Sequence, residues 1–242
     1  MTFQVIRNSD PACEPTCPAW IYAAGSIETS SPSALRKLLK SLGAVHLPIV
    51  LASNGGDRQS AQELGRIARK NKLTIAIGTS PVVCKDKASV CRTMPEIDGQ
   101  GRFEEANCLS ACPLFLAGGV KRLNSDRNFI AVHKGQAVLY SNGDRTFTQI
   151  KSAKRVAKVL ANAHLEKKQY LREMGVAVAL EDEAFKHGGD DFYEVPIDRQ
   201  RSWGLITGSV EELDFTDPQF CKRQPLPENC VPKQNGLPRR KS

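Results

Sequence analysis

The chain has 242 residues, which is enough for one large domain or two small ones with a packed core. Hydrophobic residues make up 40% and charged residues 25%, and these proportions exclude a chain that is disordered throughout. No apolar run approaches the ~18 residues of a membrane span, so no span is expected. The net charge of +8 is not accompanied by any motif that reads nucleic acid. We therefore interpret it as a basic surface and tail, and expect no nucleic-acid partner.

The hydrophobic pattern predicts apolar strands that alternate with amphipathic helices near the start of the chain. In chain order the predicted elements are a strand over 20–24, a helix over 31–42, a strand over 47–52, a turn over 53–57, a helix with Ala61, Leu64, Ile67 and Ala68 on its apolar face, and a strand over 73–77. This β-α-β-α-β order predicts right-handed crossovers and an α/β fold with a buried parallel sheet.

A cysteine-bearing irregular insert over 79–107 separates these elements from the second half of the chain. The elements predicted after it are a buried helix over 109–117, a strand over 129–133, a long charged helix over 148–174 and a last core element over 203–206. We predict one α/β domain over 19–212, between an N-terminal segment over 1–18 and a C-terminal tail over 213–242.

Eight cysteines, an even number, predict disulfides and therefore an oxidising compartment. The candidates are Cys13, Cys17, Cys84, Cys91, Cys108, Cys112, Cys221 and Cys230. Cys13 with Cys17, and Cys221 with Cys230, suggest local pairs near the termini. Cys108 and Cys112 are disfavoured as partners if they share a helix, because Cβ atoms four residues apart are ~5–6 Å apart there and a disulfide needs about 3.8 Å. One of them would then pair with Cys84 or Cys91.

Zinc bound by Cys84, Cys91, Cys108 and Cys112 is the competing interpretation of these four residues. Their spacing lacks the short cysteine pairs typical of such sites, so no metal is expected. The chain also begins without the basic and apolar regions of a signal peptide. If the cysteines are bridged, we expect a longer precursor whose signal or anchor is missing from this chain, and a periplasmic or other extracytoplasmic location.

Three short motifs carry residues suited to acyl chemistry. Residues 53–57 read Ser-Asn-Gly-Gly-Asp between a buried strand and a helix, and paired glycines free the backbone N–H groups to face an anion. Ser110 lies among small and apolar residues where the next helix begins. His133 ends an apolar strand 23 residues later, and histidine is the usual general base for a serine.

Together these motifs resemble the ClpP/crotonase superfamily, and specifically the bacterial periplasmic relatives of the proteolytic subunit of the Clp protease. Residues 116–122 (Leu-Ala-Gly-Gly-Val-Lys-Arg) are similar to a glycine- and arginine-containing stretch of that family, and the long charged helix resembles its oligomerisation handle. The resemblance covers about residues 20–210. It implies an α/β fold: a ClpP/crotonase-like spiral of β-β-α units with a mostly parallel sheet and a long handle-like helix.

The resemblance also implies a serine peptidase that acts through an acyl-enzyme on peptides or exposed protein segments. Ser110 would attack the acyl carbon and His133 would take its proton. Asp190 would orient His133, with Asp191 as the alternative, because counting from Leu180 favours the first and counting back from Gly204 favours the second. The oxyanion hole would comprise Gly55, Gly56 and Ala111, with the N–H groups of the last two as donors. No cofactor is implied.

The sequence departs from the family pattern in its turn, which has Asn54 where the Clp subunit has proline, and in the cysteines on both sides of Ser110. These departures keep open a catalytically inactive ClpP-like binding or scaffold protein. A crotonase-like acyl-CoA enzyme is a weaker alternative, as is a Ser–Lys dyad that uses Lys121 or Lys134. The expected partners are a peptide or protein substrate and a second copy of the chain, bound through residues 148–174.

Overall fold

The computed structural model describes residues 1–8, 10–80, 82–83, 91–93, 105–136, 138–140, 147–149, 152–213, 217 and 219–232, with backbone only for 82–83, 91–93, 138–140 and 147–149. In these ranges the strands are β1 (Thr2–Arg7), β2 (Thr16–Ala24), β3 (Ile49–Ala52), β4 (Thr74–Ile77), β5 (Val82–Val83), β6 (Cys91–Thr93), β7 (Asn107–Leu109), β8 (Lys121–Asn124), β9 (Phe129–Val132), β10 (Val138–Tyr140), β11 (Phe147–Gln149), β12 (Tyr193–Glu194), β13 (Gly208–Ser209) and β14 (Cys230–Pro232). The helices are α1 (Ser31–Leu42), α2 (Arg58–Lys70), α3 (Cys112–Ala117), α4 (Ala153–Glu173), α5 (Ala179–Ala184) and α6 (Ile197–Ser202).

The central sheet has the strand order β13-β8-β4-β3-β2-β1-β6-β5. The five strands from β13 to β2 are parallel to one another, whereas β1 and β14 pair with β2 in the antiparallel sense. Ile49, Leu51, Ile75 and Ile77 are fully buried, as expected for short apolar strands in the middle of a parallel sheet. The predicted mixed α/β fold, with its mostly parallel sheet and long helix, is confirmed.

A second sheet contains β7, the strand that directly precedes Ser110. It has the order β12-β9-β7, with β7 parallel and β12 antiparallel to β9. A parallel bridge between Ser53 and Cys108 joins the end of β3 to β7, so the two sheets meet where residues 53–57 follow β3.

Helices α2 and α3 touch through glycine in the core. A Cβ atom on Gly118 would collide with the backbone of Gly65, so the two helices pack at a distance that no larger residue permits. The fully buried Tyr170 of α4 donates a hydrogen bond from its hydroxyl to the carbonyl oxygen of Leu114, at 2.7 Å. Burial raises the pKa of this phenol well above its usual range. Tyr170 therefore fixes α4 against α3.

Three predicted elements differ from the structure. Residues 109–117 do not form one helix: β7 ends at Leu109, and α3 begins at Cys112. The long helix begins at Ala153, because Ser152 caps it, and β11 pairs with β10 over the first residues of the predicted helix. Residues 203–206 form a turn after α6, although Leu205 and Ile206 are buried in the core as predicted.

Three disulfides lie in the described part of the chain: Cys13–Cys17, Cys108–Cys112 and Cys221–Cys230. The first and the third are the predicted local pairs. The second is the pair that was disfavoured if Cys108 and Cys112 shared a helix. They do not share one: Cys108 lies in β7, Cys112 begins α3, and their Cα atoms are 5.1 Å apart. This bond removes two of the four ligands of the zinc interpretation. Cys84 and the side chain of Cys91 lie outside the described residues.

The three disulfides are consistent with an oxidising, extracytoplasmic compartment. Among the helices described, none is both long enough and apolar enough to cross a membrane.

Candidate active site

Residues 53–57, here called the glycine turn, are fixed by hydrogen bonds of Ser53. Its hydroxyl donates to the carbonyl of Gly25 at 2.7 Å and accepts from the backbone N–H of Gly55 at 3.1 Å. Its own N–H donates to the carbonyl of Asn107 at 2.8 Å, and its carbonyl accepts from the N–H of Leu109 at 2.9 Å. The glycine turn is therefore held against β7, the strand that leads to Ser110.

Both glycines of this turn occupy positions that other residues cannot. Their φ angles are +96° at Gly55 and +135° at Gly56, in the region that favours glycine. A Cβ atom on Gly55 would lie 2.7 Å from the carbonyl oxygen of Leu109 and 2.7 Å from the Cβ of Ser110, and one on Gly56 would collide with the carbonyl of Ile27. The turn thus contacts Ser110 so closely that a side chain at Gly55 has no room.

Two backbone N–H groups at this contact are available to a ligand. Within the described residues, neither the N–H of Gly56 nor that of Ala111 has a hydrogen-bond acceptor. The N–H of Gly55, in contrast, donates to Ser53. Of the three residues predicted for the oxyanion hole, Gly56 and Ala111 can therefore donate, while Gly55 contributes its close approach. A Cβ on Gly55 would lie only 2.9 Å from the nitrogen of Ala111, so the two segments are in contact.

Ser110 lies in a short turn between β7 and α3, residues 110–111, here called the serine turn. Its φ angle is +60°, which a residue with a side chain rarely adopts, and such strain concentrates at functional sites. Its N–H donates to the carbonyl of Ala131 at 2.9 Å, and the disulfide between Cys108 and Cys112 spans the turn. The surrounding structure therefore imposes the conformation that presents the Ser110 hydroxyl.

His133 follows β9 and faces this hydroxyl. The Oγ of Ser110 lies 2.7 Å from Nε2 of His133, and Nδ1 lies 3.1 Å from the carbonyl oxygen of Gly189. Because a carbonyl can only accept, the neutral ring carries its proton on Nδ1, and Nε2 accepts from the serine hydroxyl. This is the tautomer that a general base needs. The ring of Phe192 stacks on His133, with the centroids 4.2 Å apart.

Neither of the two predicted aspartates is hydrogen-bonded to His133 in the described structure. Asp190 is exposed, and the carbonyl of the preceding glycine occupies the position next to Nδ1. The carboxylate of Asp191 accepts instead from Nδ1 of His187 at 2.8 Å. In this structure a backbone carbonyl contacts Nδ1 where an aspartate was expected, because the chain at residues 188–190 brings its main chain to the ring. A catalytic role of either aspartate stays a prediction.

The surroundings of His133 lower the pKa of its ring and so favour the neutral form. Burial lowers the pKa of His133 below its usual range; the hydrogen bond to Gly189 raises it, the positive charge of Lys167 lowers it further, and the charge of Asp190 raises it. A neutral imidazole can take the proton of Ser110 at neutral pH, so the direction of the shift suits a base.

One charged pair beside these residues was not predicted from the sequence. Lys167 and Glu181 are both buried, with Nζ and Oε1 2.7 Å apart, and both line a small cavity that also contacts Ser110 and His133. Lys167 precedes Tyr170 and Leu171 by three and four residues, so the helical period places it on the buried face of α4, which was a usable signal. The lysines considered for a dyad lie elsewhere: Lys121 is exposed, and Lys134 lies over the ring of Phe185.

Comparison with known proteins gives a likeness of fold. No protein-family model matches the chain, and no curated protein sequence matches it. A mutant of ClpP1 from Listeria monocytogenes is similar in structure, with a TM-score of 0.51 and 12% identity over 81% of this chain and 93% of that chain. A mutant of the 1510-N membrane-bound stomatin-specific protease matches with a TM-score of 0.48 and 12% identity, over 95% of this chain and 91% of that chain. The chain therefore has a ClpP-like fold.

Proposed function

We propose that this chain is a serine peptidase that acts outside the cytoplasm. The observation that carries the proposal is the 2.7 Å contact between the Ser110 hydroxyl and Nε2 of His133, in a tautomer fixed by the carbonyl of Gly189. The alternative of an inactive binding protein is weakened by this contact, because its expected signature is a serine and a histidine too far apart to bond.

In the proposed reaction, Oγ of Ser110 attacks the carbonyl carbon of a peptide bond while Nε2 of His133 takes the hydroxyl proton. The N–H groups of Gly56 and Ala111 donate to the oxyanion that forms. When the C–N bond breaks, the imidazolium gives this proton to the leaving amine, and an acyl-enzyme remains. Water then attacks the ester with His133 again as base, which releases the carboxylic acid and restores the serine. The carbonyl of Gly189 stabilises the imidazolium in both halves.

The proposed substrate is a peptide bound along the glycine turn. An open cavity of about 580 Å³ is lined by Asn54, Gly55 and Gly56 together with Ser26 and Asn107. Extended peptides bind to such surfaces by adding a strand and using main-chain hydrogen bonds. We infer that the substrate lies along the glycine turn, with its scissile carbonyl at Ser110.

The first half of α4 supports self-association, which we propose as a property of the active form. None of residues 153–166 is buried, although Val156, Leu160 and Ala163 form a stripe at helical spacing. Burying this stripe against a second copy would remove apolar surface from water. Mass measurement in solution of the wild type and of the Val156→Glu/Leu160→Glu variant tests this, and a wild type that is monomeric at micromolar concentration contradicts it.

A fluorophosphonate probe tests the catalytic proposal, because it reacts with serines that a base activates. We expect the oxidised protein to gain the mass of one adduct, and Ser110→Ala and His133→Ala to gain none. Ser33→Ala, which changes an exposed serine of α1, is the matched control and should label like the wild type. An unlabelled wild type, or equal labelling of Ser110→Ala, refutes the proposal.

A further inference from the structure

The cavity beside Ser110 is small, and apolar side chains form much of its wall. Its volume is about 20 Å³, which is the room that one water molecule needs. Leu171 of α4 and Leu180 of α5, both buried, form part of its wall. Ser110 and His133, which are half-buried, also line it. A group bonded to the carbonyl carbon that Ser110 attacks would therefore lie within reach of this cavity.

The same cavity is lined by a buried ion pair that the reaction above does not use. Nζ of Lys167 lies 2.7 Å from Oε1 of Glu181, which also accepts from Nδ1 of His164 at 3.0 Å. Burial raises the pKa of Glu181, against the opposing charge and hydrogen bond of Lys167. Apolar residues of similar volume usually serve stability as well as a buried ion pair does. A charged pair in the wall of this cavity therefore suggests a task in recognition.

Lys167 has hydrogen-bonding capacity to spare. An ammonium group carries three donors, and the contact with Glu181 uses one of them. In the free protein a water molecule in the cavity can take another. A substrate side chain that displaces this water without an acceptor of its own leaves a buried donor unpaired, which is costly.

We propose that this cavity receives the side chain of the residue whose carbonyl Ser110 attacks, and that Lys167 selects a short side chain with an oxygen acceptor. Serine fits best, because its hydroxymethyl group replaces the water and accepts from Lys167. Alanine is similar in size but lacks the acceptor, and leucine is larger and lacks the acceptor as well. The inference rests on the proposed peptidase function.

The test uses three peptides with a fluorogenic leaving group that differ only in the acyl residue: serine, alanine or leucine. For the wild type we expect kcat/KM to fall about tenfold from serine to alanine, the effect of one hydrogen bond to a charged group, and about tenfold again to leucine. Lys167→Met/Glu181→Gln removes both charges together, so no unpaired charge is left buried. This double variant should abolish the preference for serine over alanine. Leu180→Ala enlarges the cavity and should reduce the preference for alanine over leucine.

Lys168→Met is the matched control. Lys168 is the neighbouring residue of α4 and pairs with Asp182 at 2.7 Å instead of lining the cavity, so its loss should leave both preferences unchanged. A wild type that cleaves after leucine faster than after serine overturns the inference without the use of any variant. If the fluorophosphonate labels Ser110 but the serine preference is absent or survives in the double variant, the pocket assignment fails and the peptidase stands. If Ser110 is not labelled, both fail.

Discussion

The partner of His133 gives the sharpest prediction, because the structure replaces an expected carboxylate with a carbonyl. Asp190→Asn removes the charge next to Gly189 and leaves the hydrogen bond from Nδ1 to the carbonyl in place. Asp190 is exposed, so solvent screens the effect of its charge on His133. Even at about 4 Å, a unit charge in water contributes about 1 kcal/mol, or about fivefold in rate. We therefore expect kcat/KM to fall less than tenfold.

The pH dependence supplies a second measurement on the same variant. His133 must be neutral to act as a base, so activity is lost as the pH falls through its pKa. Burial already holds that pKa below its usual range, and the charge of Asp190 raises it. Asp190→Asn should therefore move the acid limb of the profile to lower pH. Lys167→Met/Glu181→Gln should move it to higher pH, because the charge of Lys167 lowers the pKa of His133.

The assay is the pH profile of kcat/KM on a fluorogenic peptide, together with the rate of fluorophosphonate labelling. Asp191→Asn is the control, since this carboxylate bonds to His187, and its profile should match that of the wild type. Loss of an aspartate that orients the histidine directly costs about 10⁴ in kcat. A fall of 10³ or more in folded Asp190→Asn would therefore show that the active form uses the carboxylate, and would refute the carbonyl assignment.

Two further predictions concern the turns that meet at Ser110. Gly55→Ala should slow labelling about 10²-fold, because its Cβ would lie 2.7 Å from that of Ser110. Gly43→Ala, just after α1, shares a positive φ but meets open space and should label at close to the wild-type rate. Equal rates in both variants contradict the contact. Replacing both Cys108 and Cys112 by serine should slow labelling more than the same change at the Cys13–Cys17 pair. That pair has the same sequence separation of four residues but lies away from the site. A larger loss of labelling rate at the Cys13–Cys17 pair contradicts a role of the Cys108–Cys112 disulfide in shaping the serine turn.

The parts of the fold that follow from side-chain chemistry were predictable from the sequence. The strands at 49–52 and 74–77 are apolar runs, and an apolar strand needs burial on both faces, which a parallel sheet provides. The long helix α4 is evident from its period, but its start is not, because β11 pairs with a strand that precedes it by several residues. At residues 147–149 the pairing of β11 with β10 therefore replaces the helix that the local pattern predicts.

The candidate site was predictable only where it depends on side chains. Ser110 and His133 could be placed by their motifs and spacing, and the structure brings them together; their catalytic role stays a prediction. The contact of the Gly189 carbonyl with His133 has no sequence signature, because every residue carries a backbone carbonyl. The pairing of Cys108 with Cys112 depends on the positive φ of Ser110, which the surrounding structure imposes on a residue that would otherwise avoid it.

The glycine contact between α2 and α3 has a consequence far from any substrate. Helix α2 begins directly after the glycine turn, α3 begins directly after the serine turn, and the two touch at Gly65 and Gly118. Gly65 lies about 12 Å along α2 from the turn, at 1.5 Å per residue. One methyl group at Gly118 would push α2 and α3 apart there, and would shift the N–H groups of Gly56 and Ala111 relative to the Ser110 hydroxyl. A screen for lost activity should therefore collect substitutions at a buried glycine that no peptide ever touches.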